Sequence, residues 1–171
     1  SYKRYICAAN LGGNCLDITD LKEMWISPKE ELIYTLNKGD LLVVEGGDVG
    51  SSDVISKEMP NIYFQNSVHR VRQKQGFIVE YLRYFLMFAK SIGYMEQVCN
   101  RATIMHFTKE KFGQMPFIVA PLCEQSEIVA FLDKKCAAIG SAKDRHQQLI
   151  TKLEEYKKSL IYNAVTGKIE C

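Results

Sequence analysis

The chain has 171 residues, 47% hydrophobic and 25% charged, the composition of a soluble globular protein with one domain, or one domain and an appendage. No apolar run reaches the ~20 residues that span a bilayer, and no basic stretch leads into an apolar one as in a secretory signal, so a membrane protein is excluded and a cytoplasmic location expected. The net charge of +2 is unevenly spread: residues 1–64 carry six Lys/Arg against ten Asp/Glu, residues 65–115 eight against three, and residues 116–171 eight against seven.

Residues 5–9 predict a short strand, followed by a Gly-Gly-Asn turn and a second extended piece. Ser27-Pro28-Lys29-Glu30 opens a helix, with Ser as N-cap, Pro in the first turn and Glu at the third position. Asn37-Lys38-Gly39-Asp40 stops it. Residues 41–44 form a strand of the fully buried type, ended by the glycine cluster of GDLLVVEGGDVGSS. Residues 61–71 alternate enough for one strand, with Tyr63 and Phe64 as its aromatic body.

In FIVEYLRYFLMFAK (residues 77–90), apolar residues at 78, 81, 82, 85, 86 and 89 trace one face of a helix packed on a sheet. Residues 99–104 and 114–119 read as extended segments joined by a polar connection. Such strands and helices without a strict βαβ rhythm predict a mixed α/β (α+β) body.

From Glu124 to about Ala164 there is no proline and a single glycine, Gly140. Leu132, Ile139, His146, Leu153 and Leu160 recur every seven residues, and Ala142, Leu149 and Tyr156 follow three behind. This is an a/d seam with charges between, the pattern of a coiled-coil helix seeking another helix. The alternative is a helical hairpin broken at Gly140-Ser141. The expected division is 1–122 for the body and 123–171 for the helix and tail.

The six cysteines (7, 15, 99, 123, 136 and 171) form no C-x-x-C and no zinc-ligand spacing with a histidine, so they read as reduced packing residues. The glycine cluster is neither dinucleotide fingerprint nor Walker loop. Glu45 stands where G-x-G-x-x-G needs glycine, no lysine follows Gly50, and no helical period follows to supply a phosphate cradle. It reads as a strand and a glycine-permissive turn. His69, His106 and His146 are far apart, and no G-x-S-x-G or N-P-P-Y is present. No catalytic set, metal or cofactor is therefore expected.

Two basic stretches remain. YFQNSVHRVRQK places Arg70, Arg72 and Lys74 at period two beside Gln65 and Asn66. NRATIMHFTKEK offers Asn100, Arg101, Thr103, Lys109 and Lys111. Asn, Gln, Arg and Lys read base edges, and Lys, Arg, Ser and Thr hold phosphates, so these residues are the candidate DNA contacts. A charged strand edge that blocks aggregation is the other reading.

GDLLVVEGGDVG (39–50), YFQNSVHRVR (63–72) and NRATIMHFTKEKFGQMPFIVAPLCEQSEIVAFLD (100–133) together resemble the target recognition domain of a type I restriction-modification specificity subunit. APLCEQSEIVAFLD is similar to that family's L-P-P-L-x-E-Q-x-x-I-x-x-x-L-D hinge, with Cys123 where a second proline often stands. EEYKKSLIYNAVTGKIEC (154–171) resembles the subunit's distal helix and tail.

The resemblance implies a non-catalytic reader of one half of a split site on double-stranded DNA. It implies docking of methyltransferase subunits and, through them, nuclease subunits. It also implies antiparallel pairing of the long helix with the other half-subunit or a second copy, through Leu132, Ile139, His146, Leu149, Leu153, Tyr156 and Leu160. With one recognition domain and one helix, the chain matches half a subunit. Its tail matches the C-terminal half, and its start falls inside the recognition domain. The competing readings are a coiled-coil protein adaptor without DNA readout, and the DNA-reading part of a single-polypeptide restriction-methylation enzyme.

Overall fold

The computed structural model describes residues 1–99 and 105–169, in two compact units, Ser1–Val129 and Ala130–Cys171. In chain order the strands are β1 (Tyr2–Ile6), β2 (Lys22–Trp25), β3 (Leu41–Val44), β4 (Ser52–Val54), β5 (Ile62–Phe64) and β6 (Val68–Val71). The helices are α1 (Pro28–Tyr34), α2 (Val79–Ser91), α3 (Tyr94–Cys99), α4 (Lys109–Gln114) and α5 (Leu122–Val165), with a 3-10 stretch at Ala8–Asn14. One sheet has the order β2-β1-β5, with β1 antiparallel to β2 and parallel to β5. The other has the order β4-β3-β6, antiparallel throughout. The fold is mixed α/β with a long C-terminal helix.

The apolar run Leu41–Val44 is buried completely because β3 separates two cores. Leu41 and Val43 pack with Val79, Leu82, Leu86 and Ala89 of α2 and with Phe107. Leu42 and Val44 join Ile6, Leu11, Leu36, Ile55, Phe64 and Val68. A strand covered on both faces has no solvent side, hence a continuous apolar run instead of alternation. Each such side chain stabilises by about 1.5–3 kcal/mol when fully buried.

The expected helix start at Ser27 is present as a reciprocal cap. Ser27 Oγ accepts from Glu30 N, and the Glu30 carboxylate accepts from Ser27 N at 2.9 Å. The expected single strand over 61–71 is two strands in different sheets. Gln65 N donates to Ile6 O and Val68 N to Gln65 O, so the polar Gln-Asn-Ser triplet turns the chain from β1 to β3. The first strand lies earlier than residues 5–9, since Ala8 already opens the 3-10 stretch. Cys99 ends α3 instead of starting an extended piece, and residues 100–104 lie outside the described part. Gln114 ends α4, and Met115–Val119 has no regular structure.

Helix α5 runs through Gly140-Ser141 without a break for 44 residues, about 66 Å at 1.5 Å per residue. The Ser141 hydroxyl stays inside the helix by donating to Ala137 O at 3.0 Å, the i−4 back-bond open to a mid-helix serine. The hairpin alternative is thereby set aside. No helix among the described residues is long and apolar enough to cross a membrane.

Candidate DNA interface

Strand β6, the end of α1 and helix α4 enclose a groove of about 860 Å³. Tyr34, Phe64, Phe112 and Phe117 give it flat apolar walls, and Asn66, His69, Arg70, Arg72 and Lys109 give it polar groups. No carboxylate lines it. Tyr34 meets Phe64 edge-on at 5.3 Å between ring centroids, and Phe112 stacks obliquely on Phe107 at 4.9 Å. His69 Nε2 lies 2.6 Å from Phe107 O, tying β6 to the segment before α4.

The cations around this groove differ in how they are held. Arg72 forks onto Asp40, with Nε 2.8 Å from Oδ1 and Nη2 3.2 Å from Oδ2. Asp40 is buried and also accepts from Asn37 N. These bonds to the carboxylate raise the Arg72 pKa above its ordinary value. Arg70 Nη1 donates to Ile33 O and Thr35 O, closing the carbonyl end of α1, where a cation is favoured. Burial, and then the charge of Arg72, push the Arg70 pKa down. Lys109 is exposed, as is Lys74, which does not line the groove, and neither makes a hydrogen bond or ion pair among the described residues.

The structure thus brings Asn66, Arg70, Arg72 and Lys109 to one groove, with Gln65 in the turn beside it. Lys111 lies apart from them, its Nζ donating to Cys99 O and His106 O. Asn100, Arg101 and Thr103 lie outside the described residues. Two further cations of the basic segment serve the scaffold. Arg83 pairs with Asp53 at 3.1 Å, and Lys90 bonds Asp48 and Ser51. The aromatic walls were missed in the sequence, because Tyr34, Phe64, Phe112 and Phe117 come from four separate segments.

The glycine cluster closes the β3–β4 hairpin. Asp48 holds it by accepting from Ser51 Oγ, Lys90 Nζ and Gly13 N. Gly50 has a φ of +77°, which favours glycine, and a Cβ there would lie 2.8 Å from Met95 Cε, so that the methionine side chain would have to shift. Among the described residues no group of three or more His, Cys, Asp or Glu could hold a metal ion.

A family model described as "Type I restriction modification DNA specificity domain" matches residues 18–152. The chain belongs to this family. Two solved structures share the specificity domain's fold at 20% identity. One, reported as "Structural basis underlying complex assembly and conformational transition of the type I R-M system", has a TM-score of 0.70 and covers 94% of this chain and 37% of that one. The other, the HsdS subunit from Thermoanaerobacter tengcongensis, has a TM-score of 0.61 and covers 96% of this chain and 37% of that one. The chain therefore spans little more than a third of the length of either. Comparison with curated protein sequences finds no match.

Within this specificity domain Gln125 of the hinge has a physical role. Gln125 is fully buried near the start of α5. Its Oε1 accepts from Ile78 N at 3.0 Å, and its Nε2 donates to Ala120 O at 2.8 Å and Gly76 O at 3.4 Å. One amide thus satisfies the amide of the residue that caps α2 and two loop carbonyls. Glutamate could not donate the latter two bonds when ionised.

Proposed function

We propose that this specificity domain is the non-catalytic DNA reader of a type I restriction-modification complex in the cytoplasm. It recognises one half of a split site and docks methyltransferase subunits, through which nuclease subunits join. The match over residues 18–152 carries the reading, and the groove supports it with cations and an amide around an acid-free surface. Arg70 uses only Nη1 in its protein bonds, which leaves the rest of its five-donor fork for a phosphate or a guanine edge. Lys109 and Lys74 suit phosphates, while Asn66 and Gln65 suit an adenine edge. Lys111, Asn100, Arg101 and Thr103 complete the candidate set.

Helix α5 supplies the pairing surface. Ile139, Leu149, Leu153, Tyr156 and Leu160 are 45–66% exposed, on the seam that also holds Leu132 and His146. An antiparallel partner, either the other half-subunit or a second copy, would cover them. Two copies related by a two-fold axis would read a palindromic split site.

The adaptor reading draws on Tyr2, Trp25, Leu32 and Ile33, which are 58–83% exposed on β1, β2 and α1. Salt separates the two. A DNA reader loses affinity for duplex DNA steeply as salt rises, with a log-log slope of about −0.9 per phosphate neutralised. Titrating a labelled duplex between low and physiological salt should give a slope of several units. The absence of duplex binding, alone and with a methyltransferase subunit, would favour the adaptor.

A further inference from the structure

We propose that the groove between β6, α1 and α4 is a receptor for one unstacked nucleotide of the bound DNA, its base between the aromatic walls and its phosphate at the basic rim. The inference rests on the DNA-reading function and specifies what this surface takes. Contact with an intact duplex calls for protruding side chains that reach into a groove of the DNA. Here the surface recedes instead, into about 860 Å³, within the ~300–1,000 Å³ of small-molecule sites and ample for a nucleotide.

Its chemistry matches that ligand in three respects. Tyr34, Phe64, Phe112 and Phe117 are half-buried or buried rings from four segments that converge on one space, and such faces stack on bases of any sequence. Of the lining cations Arg72 is paired with Asp40, while Arg70 and Lys109 form no ion pair among the described residues, so these two favour an anion such as a phosphate. Lys109, whose charge is felt by the exposed Glu110 beside it, makes no hydrogen bond or ion pair among the described residues. The Asn66 side chain is exposed and also without a hydrogen-bond partner among them, leaving its amide for a base edge.

The site is also prearranged. Arg70 is fixed on the Ile33 and Thr35 carbonyls with its guanidinium 5.2 Å from the Phe64 ring centroid. Arg72 is fixed on Asp40. Neither guanidinium needs ordering when the nucleotide enters.

The test uses the whole 171-residue chain and two duplexes with the same paired sequence. One is fully paired, and the other carries a single bulged 2-aminopurine, which is already unstacked. The bulged duplex is expected to bind about tenfold tighter, with its fluorescence changed by stacking on the rings. Tyr34→Leu should reduce that ratio toward one while leaving the paired duplex bound as before, and Asn66→Ala should also lower it. Free dAMP is the control for source. If it binds saturably while the bulge confers no preference, the groove is a free-nucleotide site and the DNA-derived nucleotide is overturned. Equal binding of both duplexes without dAMP binding would overturn the receptor and leave DNA reading intact. Failure to bind either duplex, alone or with a methyltransferase subunit, would remove both.

Discussion

Arg72 and Lys74 stand two residues apart, yet their removal should have unlike consequences. Arg72→Ala leaves the buried Asp40 carboxylate without its fork. Losing one partner of a fully buried pair costs about 3–5 kcal/mol. Because the Arg72 side chain is 45% exposed, a loss of about 1–3 kcal/mol is expected in urea denaturation. Lys74→Ala should change stability by less than about 0.5 kcal/mol. Lys109→Ala should leave the fold alone and reduce the salt slope of duplex binding by about one unit, as expected of a single phosphate contact.

Asp48 makes a pH prediction. Burial works to raise its pKa, but the bonds from Lys90, Ser51 and Gly13 outweigh it and hold the group below the ordinary carboxylate value. A depressed carboxylate stabilises the fold above its unfolded-state pKa and loses that contribution as pH falls through the folded one. Asp48→Asn should therefore lessen the loss of stability on acidification below about pH 4, read as urea midpoints across an acid series. At this scale the sequence was legible in residue type and illegible in partnership. Arg70 and Arg72 were visible as alternating cations, but Asp40, Ile33 and Thr35 lie more than 30 positions away. Gln125 stood in a recognisable motif, while its bonds to Gly76 and Ile78 depend on tertiary contact.

At the scale of elements, the patterns that depend on neighbours in sequence were readable. The Ser27–Glu30 capping box, the buried run Leu41–Val44, the apolar face of α2 and the seven-residue period of α5 all appear where local rules place them. The break between β5 and β6 was not read, although Asn66 and Ser67 are turn formers, because the pairing of each half with a different sheet depends on tertiary contact. Helix α5 supplies two tests. Gly140 has open space where a Cβ would sit, so Gly140→Ala should stabilise the helix by about 0.5–1 kcal/mol, measured by thermal melting of its circular dichroism. Leu149→Glu with Leu153→Glu puts charge on the proposed seam and should turn any self-associated species into monomer in equilibrium sedimentation at tens of micromolar. Wild-type chain that is monomeric there would speak against self-pairing and for the other half-subunit as partner.

For the whole molecule, the mixed α/β body and the long helix were legible because composition shifts abruptly after Leu122 and the heptad period is sustained. The two compact units are Ser1–Val129 and Ala130–Cys171, and within the first Gln125 binds the start of α5 to residues 76, 78 and 120. As proposed, this specificity domain chooses a DNA sequence. The most direct measurement is selection from a pool of random duplexes at moderate salt, using the chain with a related methyltransferase subunit. Enrichment of a few fixed bases is expected, repeated with inverted symmetry across a constant gap if two copies act together. A stable complex with the methyltransferase that retains duplex DNA but enriches no motif would contradict it.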